Sequence, residues 1–222
     1  TNSDVIAGIQ WAMMVHSTGP AVLNASIGGS YDSSLNLAIE AAVSDGISVV
    51  VAAGNSALNA CDYSPSSANS AITVGATAGD DYIASFSNYG SCVDIFAPGY
   101  NIMSLMGGNN FDPYKSGTSM ASPHVAGVAA LLLAQYPTMT PAQVRDNIVG
   151  ASIRNTVHGY ISSSPNRLLH IPSSMTRPIN DSLVNARPFN IWGYGSLSNT
   201  MFATHEGGEP QHVGMSSGAG SV

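Results

Sequence analysis

Positive charge is scarce in this chain. Its 222 residues hold six Lys and Arg against thirteen Asp and Glu, for a net charge of -7. Residues 1–114 contain no Lys or Arg at all. A surface of that sign repels phosphate backbones and has no basic cluster for an anionic membrane, so neither nucleic acid nor a membrane is an expected partner. Charge of either sign is thin, at 9% of residues, while 44% are hydrophobic, ample material for a core. No apolar run approaches the roughly 18 residues of a membrane span. The first residue is Thr, not Met, and no signal-like segment follows it. The expectation is a mature, cleaved or partial chain. Cysteine is limited to Cys61 and Cys92. No Cys-x-x-Cys or His-x-x-x-His spacing marks a metal centre. A disulfide, two buried thiols and half a metal site all stay open.

What is present reads as alternating strands and helices. Ser3 is a candidate cap for a first helix, with Ile6, Ile9 and Met13 on one face and Gly19-Pro20 as its stop. Residues 21–26 read as a strand. Ser33 or Ser34 fits the cap of a second helix that leaves at Asp45-Gly46. Residues 47–53 are almost continuously apolar and β-branched, the pattern of a strand buried on both faces of a parallel sheet. Strand, helix, strand at this spacing is a βαβ unit, so the class is α/β. Residues 54–70 read as a loop, 71–75 and 93–96 as strands, and 107–110 as a turn. Residues 119–136 form a helix that is apolar nearly all round and therefore central. Thr140-Pro141 opens a last helix, to about Ala151. The pattern stops near residue 170. Residues 1–170 read as one domain, and 171–222 as a loosely ordered extension with an aromatic patch at 189–194.

The segment Ser116-Gly117-Thr118-Ser119-Met120-Ala121-Ser122-Pro123-His124-Val125-Ala126-Gly127 carries the chemistry. A serine in the first turn of a buried helix sits among backbone N–H groups that lack intrahelical acceptors, at the positive end of the helix dipole. Negative charge developing on an attacked carbonyl is favoured there. The segment resembles the nucleophile motif of the subtilisin-like serine proteases, with Ser119 as nucleophile. Val50-Val51-Ala52-Ala53-Gly54-Asn55 resembles the family's oxyanion-hole motif, with Asn55 as the side-chain donor. Asn24-Ala25-Ser26-Ile27-Gly28-Gly29 resembles its substrate-pairing strand. By that resemblance Ser26, Ile27 and Gly28 form one wall of the specificity pocket and Ala52, Ala53 and Gly54 the other. Small apolar walls imply a broad apolar preference.

Further matches, among them Ser85-Phe86-Ser87-Asn88-Tyr89-Gly90 and Asp94-Ile95-Phe96-Ala97-Pro98-Gly99, are similar to the proteinase K and aqualysin-like subgroup. The resemblance implies a three-layer fold with a mostly parallel sheet, incomplete on its N-terminal side. It implies a disulfide between Cys61 and Cys92, and with it an extracellular setting. It also implies a structural calcium site, with Asp94 and carbonyls near Asn69 and Ala71 as ligands. No cofactor is expected for catalysis. Expected partners are peptide or protein substrates and the protein's own propeptide, with a monomer as the complete form.

The family's Asp-Ser/Thr-Gly and His-Gly-Thr motifs are not in this chain. A serine hydroxyl needs an adjacent base near neutral pH. His124, five residues along the same helix, is turned about 140° away from Ser119. His16 suits the negative end of the first helix. His158, His170, His205 and His212 have no motif around them. The expectation is a serine endopeptidase of which this chain, by itself, is inactive. The alternative is a pseudoprotease that binds extended peptides without cutting them.

Overall fold

The computed structural model describes residues 1–171 other than 18 and 107–109. The expected extension, from residue 172 onward, and most of the turn at 107–110 lie outside the described residues.

The helices are α1 (Asn2–Val15), α2 (Ser33–Ser44), α3 (Thr118–Gln135) and α4 (Pro141–Ala151). The strands are β1 (Ala21–Ala25), β2 (Gly29–Ser30), β3 (Ile47–Ala52), β4 (Tyr63–Ser64), β5 (Ile72–Thr77), β6 (Ile95–Pro98), β7 (Ile102–Met106), β8 (Asn110–Lys115), β9 (Ile153–Arg154) and β10 (Arg167–Leu168). One sheet runs in the order β1-β3-β5-β6-β10-β9, parallel except for the last pair. The small pairs β2-β4 and β7-β8 are antiparallel.

Strand β3 is buried at every position because both faces of the sheet are covered. Val50 packs with Ile72, Val74 and Ile95 against Val125, Ala129 and Leu132 of α3 and Ile148 of α4. Val49 and Val51 face the other way, onto Ile9 of α1 and Leu35, Ile39 and Ala42 of α2. This alternation makes three layers, with helix pairs on either side of the sheet. Among the described residues β1 pairs only with β3. Trp11, Met14 and Val15 of α1 are exposed.

The helix starts differ from expectation in instructive ways. Thr1, not Ser3, caps α1: its hydroxyl accepts from the Asp4 N–H, and the Asp4 carboxylate accepts from the Thr1 nitrogen at 2.8 Å. Asp32 caps α2 ahead of either serine, since its carboxylate takes the N–H groups of both Ser34 and Leu35. A formal charge at a helix N-terminus outdoes a hydroxyl. Thr140 caps α4 as expected, in a capping box with Gln143. The loop at 54–70 holds a short 3-10 turn (Ala60–Asp62) and β4. Cys61 and Cys92 form a disulfide with Cα atoms 5.3 Å apart.

His16 ends α1. Its ring lies 2.9 Å from both the Gly19 carbonyl and the Asp45 carboxylate. The carbonyl, and then the carboxylate, hold its pKa above the usual histidine value. A raised folded-state pKa contributes stability that is complete below the unfolded value and fades as pH rises through the folded one. His16→Asn is therefore expected to lower the denaturation midpoint most near pH 5 and least above pH 8. A pH-independent difference between the two chains would contradict this role for His16.

Candidate active site

The strands that run parallel end together, and the loops that follow them build one cleft at the carboxyl edge of the sheet. Its volume is about 290 Å³, and Ile27, Gly28, Gly29, Ala52, Ala53, Gly54, Asn55, Thr118 and Ser119 are among its lining residues. Residues 55 and 119, which strands β4 to β8 separate in the sequence, both line it.

Ser119 lies in the first turn of α3, half-buried. Its hydroxyl donates to the Ser26 carbonyl at 3.2 Å, and the Ser26 hydroxyl donates back to the Ser119 carbonyl at 2.9 Å. The second bond has a local cause. Pro123 lies inside α3 and has no N–H, so the Ser119 carbonyl four residues earlier loses its helical donor. Ser26, at the end of β1, supplies one from outside. Asn24 and Ser122 join the same two elements by a further hydrogen bond. The helix terminus is thereby fixed against the strand that forms one wall of the cleft.

Asn55 is oriented by Thr118. The buried Thr118 gives its N–H and its hydroxyl to Asn55 Oδ1, at 2.8 and 2.9 Å, and its oxygen accepts the Gly54 N–H at 3.1 Å. With Oδ1 occupied, the Nδ2 amide is the end of the side chain left to act as a donor, and Asn55 is exposed to the cleft. Among the described residues the Ser119 N–H has no assigned protein acceptor, as first-turn donors do not within their own helix. These two donors and the hydroxyl belong to residues that line the same cleft. This is an arrangement for binding an oxygen that gains negative charge.

The chain reversal after β3 depends on the fully buried Asn88. Its Nδ2 donates to the Ala53 carbonyl at 2.9 Å, and its Oδ1 accepts from Ser56 and Leu58 N–H at 2.9 and 3.1 Å. Gly54 sits over it with φ +105°, and a Cβ there would lie 2.4 Å from Asn88 Nδ2. Only glycine combines that backbone with that approach.

The matched family description is the subtilase family, over residues 1–195. This chain belongs to the subtilase family. It is 49% identical over 173 residues to an extracellular serine proteinase of Thermus sp., covering 78% of this chain and 42% of that protein. It is 44% identical over 170 residues to alkaline serine exoprotease A of Vibrio alginolyticus, covering 77% of this chain and 31% of that one. A solved cold adapted subtilisin-like serine proteinase superposes with TM-score 0.74 at 42% identity, over 77% of this chain and 61% of that structure. The chain therefore spans about two-fifths or less of the length of these curated relatives.

Of the residues singled out on resemblance to subtilases, Ile27, Gly28, Ala52, Ala53, Gly54, Asn55 and Ser119 line the cleft, and Ser26 holds Ser119 from behind. Asp94, Asn69 and Ala71 gather at a separate cavity of about 160 Å³, with Arg145. Thr118 and Asn88 lie within the motifs at 116–127 and 85–90 but are not among the site residues the resemblance implies. A Thr directly before the serine and an Asn between serine and tyrosine are the signals that mark them. Among the lining residues of the cleft there is no His, Asp or Glu. His124 is bound instead to the Met120 carbonyl of its own helix, at 2.7 Å. Asp80 caps a surface turn, accepting from Tyr82 N–H.

Asn88→Ala leaves one carbonyl and two N–H groups without their partner, and is expected to cost about 2–4 kcal/mol of stability. Chemical denaturation reads this directly. An unchanged midpoint would mean that the loop holding Asn55 does not depend on Asn88.

Proposed function

We propose that this chain supplies the nucleophile and the oxyanion donors of a serine endopeptidase. Hydrolysis proceeds through an acyl-enzyme on Ser119: the hydroxyl oxygen attacks the scissile carbonyl carbon, and the carbonyl oxygen takes up negative charge against Asn55 Nδ2 and the Ser119 N–H. The amine leaves with a proton, and water then releases the acyl group. The observation that carries this reading is the meeting of Ser119 and Asn55 in one cleft, each fixed by its own hydrogen bonds.

Extended peptides run along residues 26–28 on one side and 52–54 on the other. The side-chain pocket is walled by small and apolar groups, so the preference is broad and apolar. A base and its carboxylate partner must come from outside the described cleft, from a further part of the protein. Among the described residues the hydroxyl proton goes to the Ser26 carbonyl, which is not a base of useful strength. The chain by itself is therefore inactive or nearly so. In subtilisin, a member of this family, loss of the serine or histidine costs on the order of 10⁶ in kcat. The second reading is a pseudoprotease that binds peptides, and the absence of a base among the cleft residues is what favours it.

The setting is extracellular. The Thermus relative is named so, and a disulfide suits an oxidising compartment. Substrates are peptides or proteins, and the protein's own propeptide is a further ligand for the same groove. The complete enzyme is a monomer.

Two experiments test this. A fluorophosphonate probe is expected to label Ser119 in the protein extended with upstream coding sequence, and to leave the isolated chain unlabelled. Absence of labelling in the extended protein supports the pseudoprotease. In the active extended protein Asn55→Leu is expected to lower kcat by about 10²–10³ with KM little changed, the size of loss measured on subtilisin. An equal loss in binding and turnover would place Asn55 in substrate binding instead.

A further inference from the structure

The residues that family resemblance offers to calcium are engaged by a cation of the chain's own. Asp94 stands just ahead of β6, and its side chain is only 12% exposed. Its Oδ2 accepts the Thr73 N–H at 2.8 Å. Its Oδ1 accepts from Arg145 Nε at 3.1 Å and also from Arg145 Nη2. The remaining arm of the guanidinium, Nη1, donates to the Asn69 carbonyl at 2.7 Å. Two of the three expected ligands therefore face the same guanidinium.

These residues do not fit a divalent ion as they stand. Calcium takes six to eight oxygen ligands at about 2.3–2.6 Å. Arginine has five N–H donors and no acceptor, so it cannot enter such a shell. An ion near Asp94 and Asn69 would also stand beside a permanent positive charge that no accessible pH removes. Asp94 is the one carboxylate among the residues that line this cavity. Glu40, nearby, accepts the Asn69 N–H at 3.1 Å.

We infer that Arg145 replaces calcium in this chain. The guanidinium draws together the carboxylate before β6 and the carbonyl before β5, as an ion shared by them would. It does so from α4, whose start is set by the Thr140 capping box. The planar guanidinium serves both groups at once, with Nε and Nη2 donating to Asp94 Oδ1 and Nη1 to the Asn69 carbonyl. The segment from Asn69 to Thr73 is thus pinned without metal, and position 145 decides whether this place holds an ion or a side chain.

The test compares thermal unfolding in chelator and in excess calcium for the wild type, Arg145→Ser, and Arg145→Ser combined with Asp94→Asn. The expected result is a calcium-dependent rise in Tm for Arg145→Ser that exceeds that of the wild type by about 5 °C. Adding Asp94→Asn should abolish the excess. Equal responses in wild type and Arg145→Ser would overturn the proposal. Should Arg145→Ser not fold, calorimetric titration of the wild type with calcium decides the matter. Calcium uptake that Asp94→Asn removes overturns the proposal, and uptake that is absent or unaffected by Asp94→Asn upholds it.

Discussion

The start of α3 is held to the ends of β1 and β3 by hydrogen bonds that run in both directions, and the placing of Ser119 and Asn55 in one cleft follows from that attachment. Ser26 and Ser119 exchange hydroxyl-to-carbonyl bonds across the junction. Thr118 bonds both Gly54 and Asn55. Two strands that are neighbours in the sheet thereby meet a single helix terminus, and Ser119 is fixed relative to Asn55. The cost of an interior proline is turned to use, because the carbonyl it leaves without a donor is the one that Ser26 takes.

Packing makes this attachment rigid. Strand β3 cannot slip, since Val50 belongs to the core beneath α3 while Val49 and Val51 belong to the core beneath α1 and α2. A one-residue shift would exchange those faces. Helix α3 is fixed along its length by Val125, Ala129 and Leu132. Below the cleft, Asn88 replaces the hydrogen bonds that the chain gives up when β3 ends, so the reversal at Gly54 is held by buried polar contacts rather than left to the solvent.

Much of this was legible in the sequence. The unbroken apolar run at 47–53 announces a two-sided strand, and the apolar girth of 119–135 announces a central helix, because burial on all sides leaves no polar stripe. Ser119, Asn55, Ile27, Gly28 and residues 52–54, which local motifs mark on resemblance to the family, do line one cleft. What the sequence conceals is long-range. Asn88 acts on residues 30 to 35 positions away, and Thr118 on one 63 positions away. Arg145 reaches Asp94 over 51 positions, and no spacing rule connects them. Asp32 displaced the two serines beside it as a cap, which propensity alone ranks as near equals.

The cleft that Ser119 and Asn55 line holds no His, Asp or Glu among its described lining residues, and a serine hydroxyl near neutral pH needs an adjacent base before it attacks. The central claim is that Ser119, its own N–H and Asn55 share one reacting centre. The most direct measurement is a crystal structure of the extended, active protein after phosphonylation by an organophosphorus inhibitor. The account predicts phosphorus bonded to Ser119 Oγ, with one phosphoryl oxygen within hydrogen-bonding distance of both Asn55 Nδ2 and the Ser119 N–H. An adduct on another residue, or a phosphoryl oxygen directed away from Asn55, would contradict it.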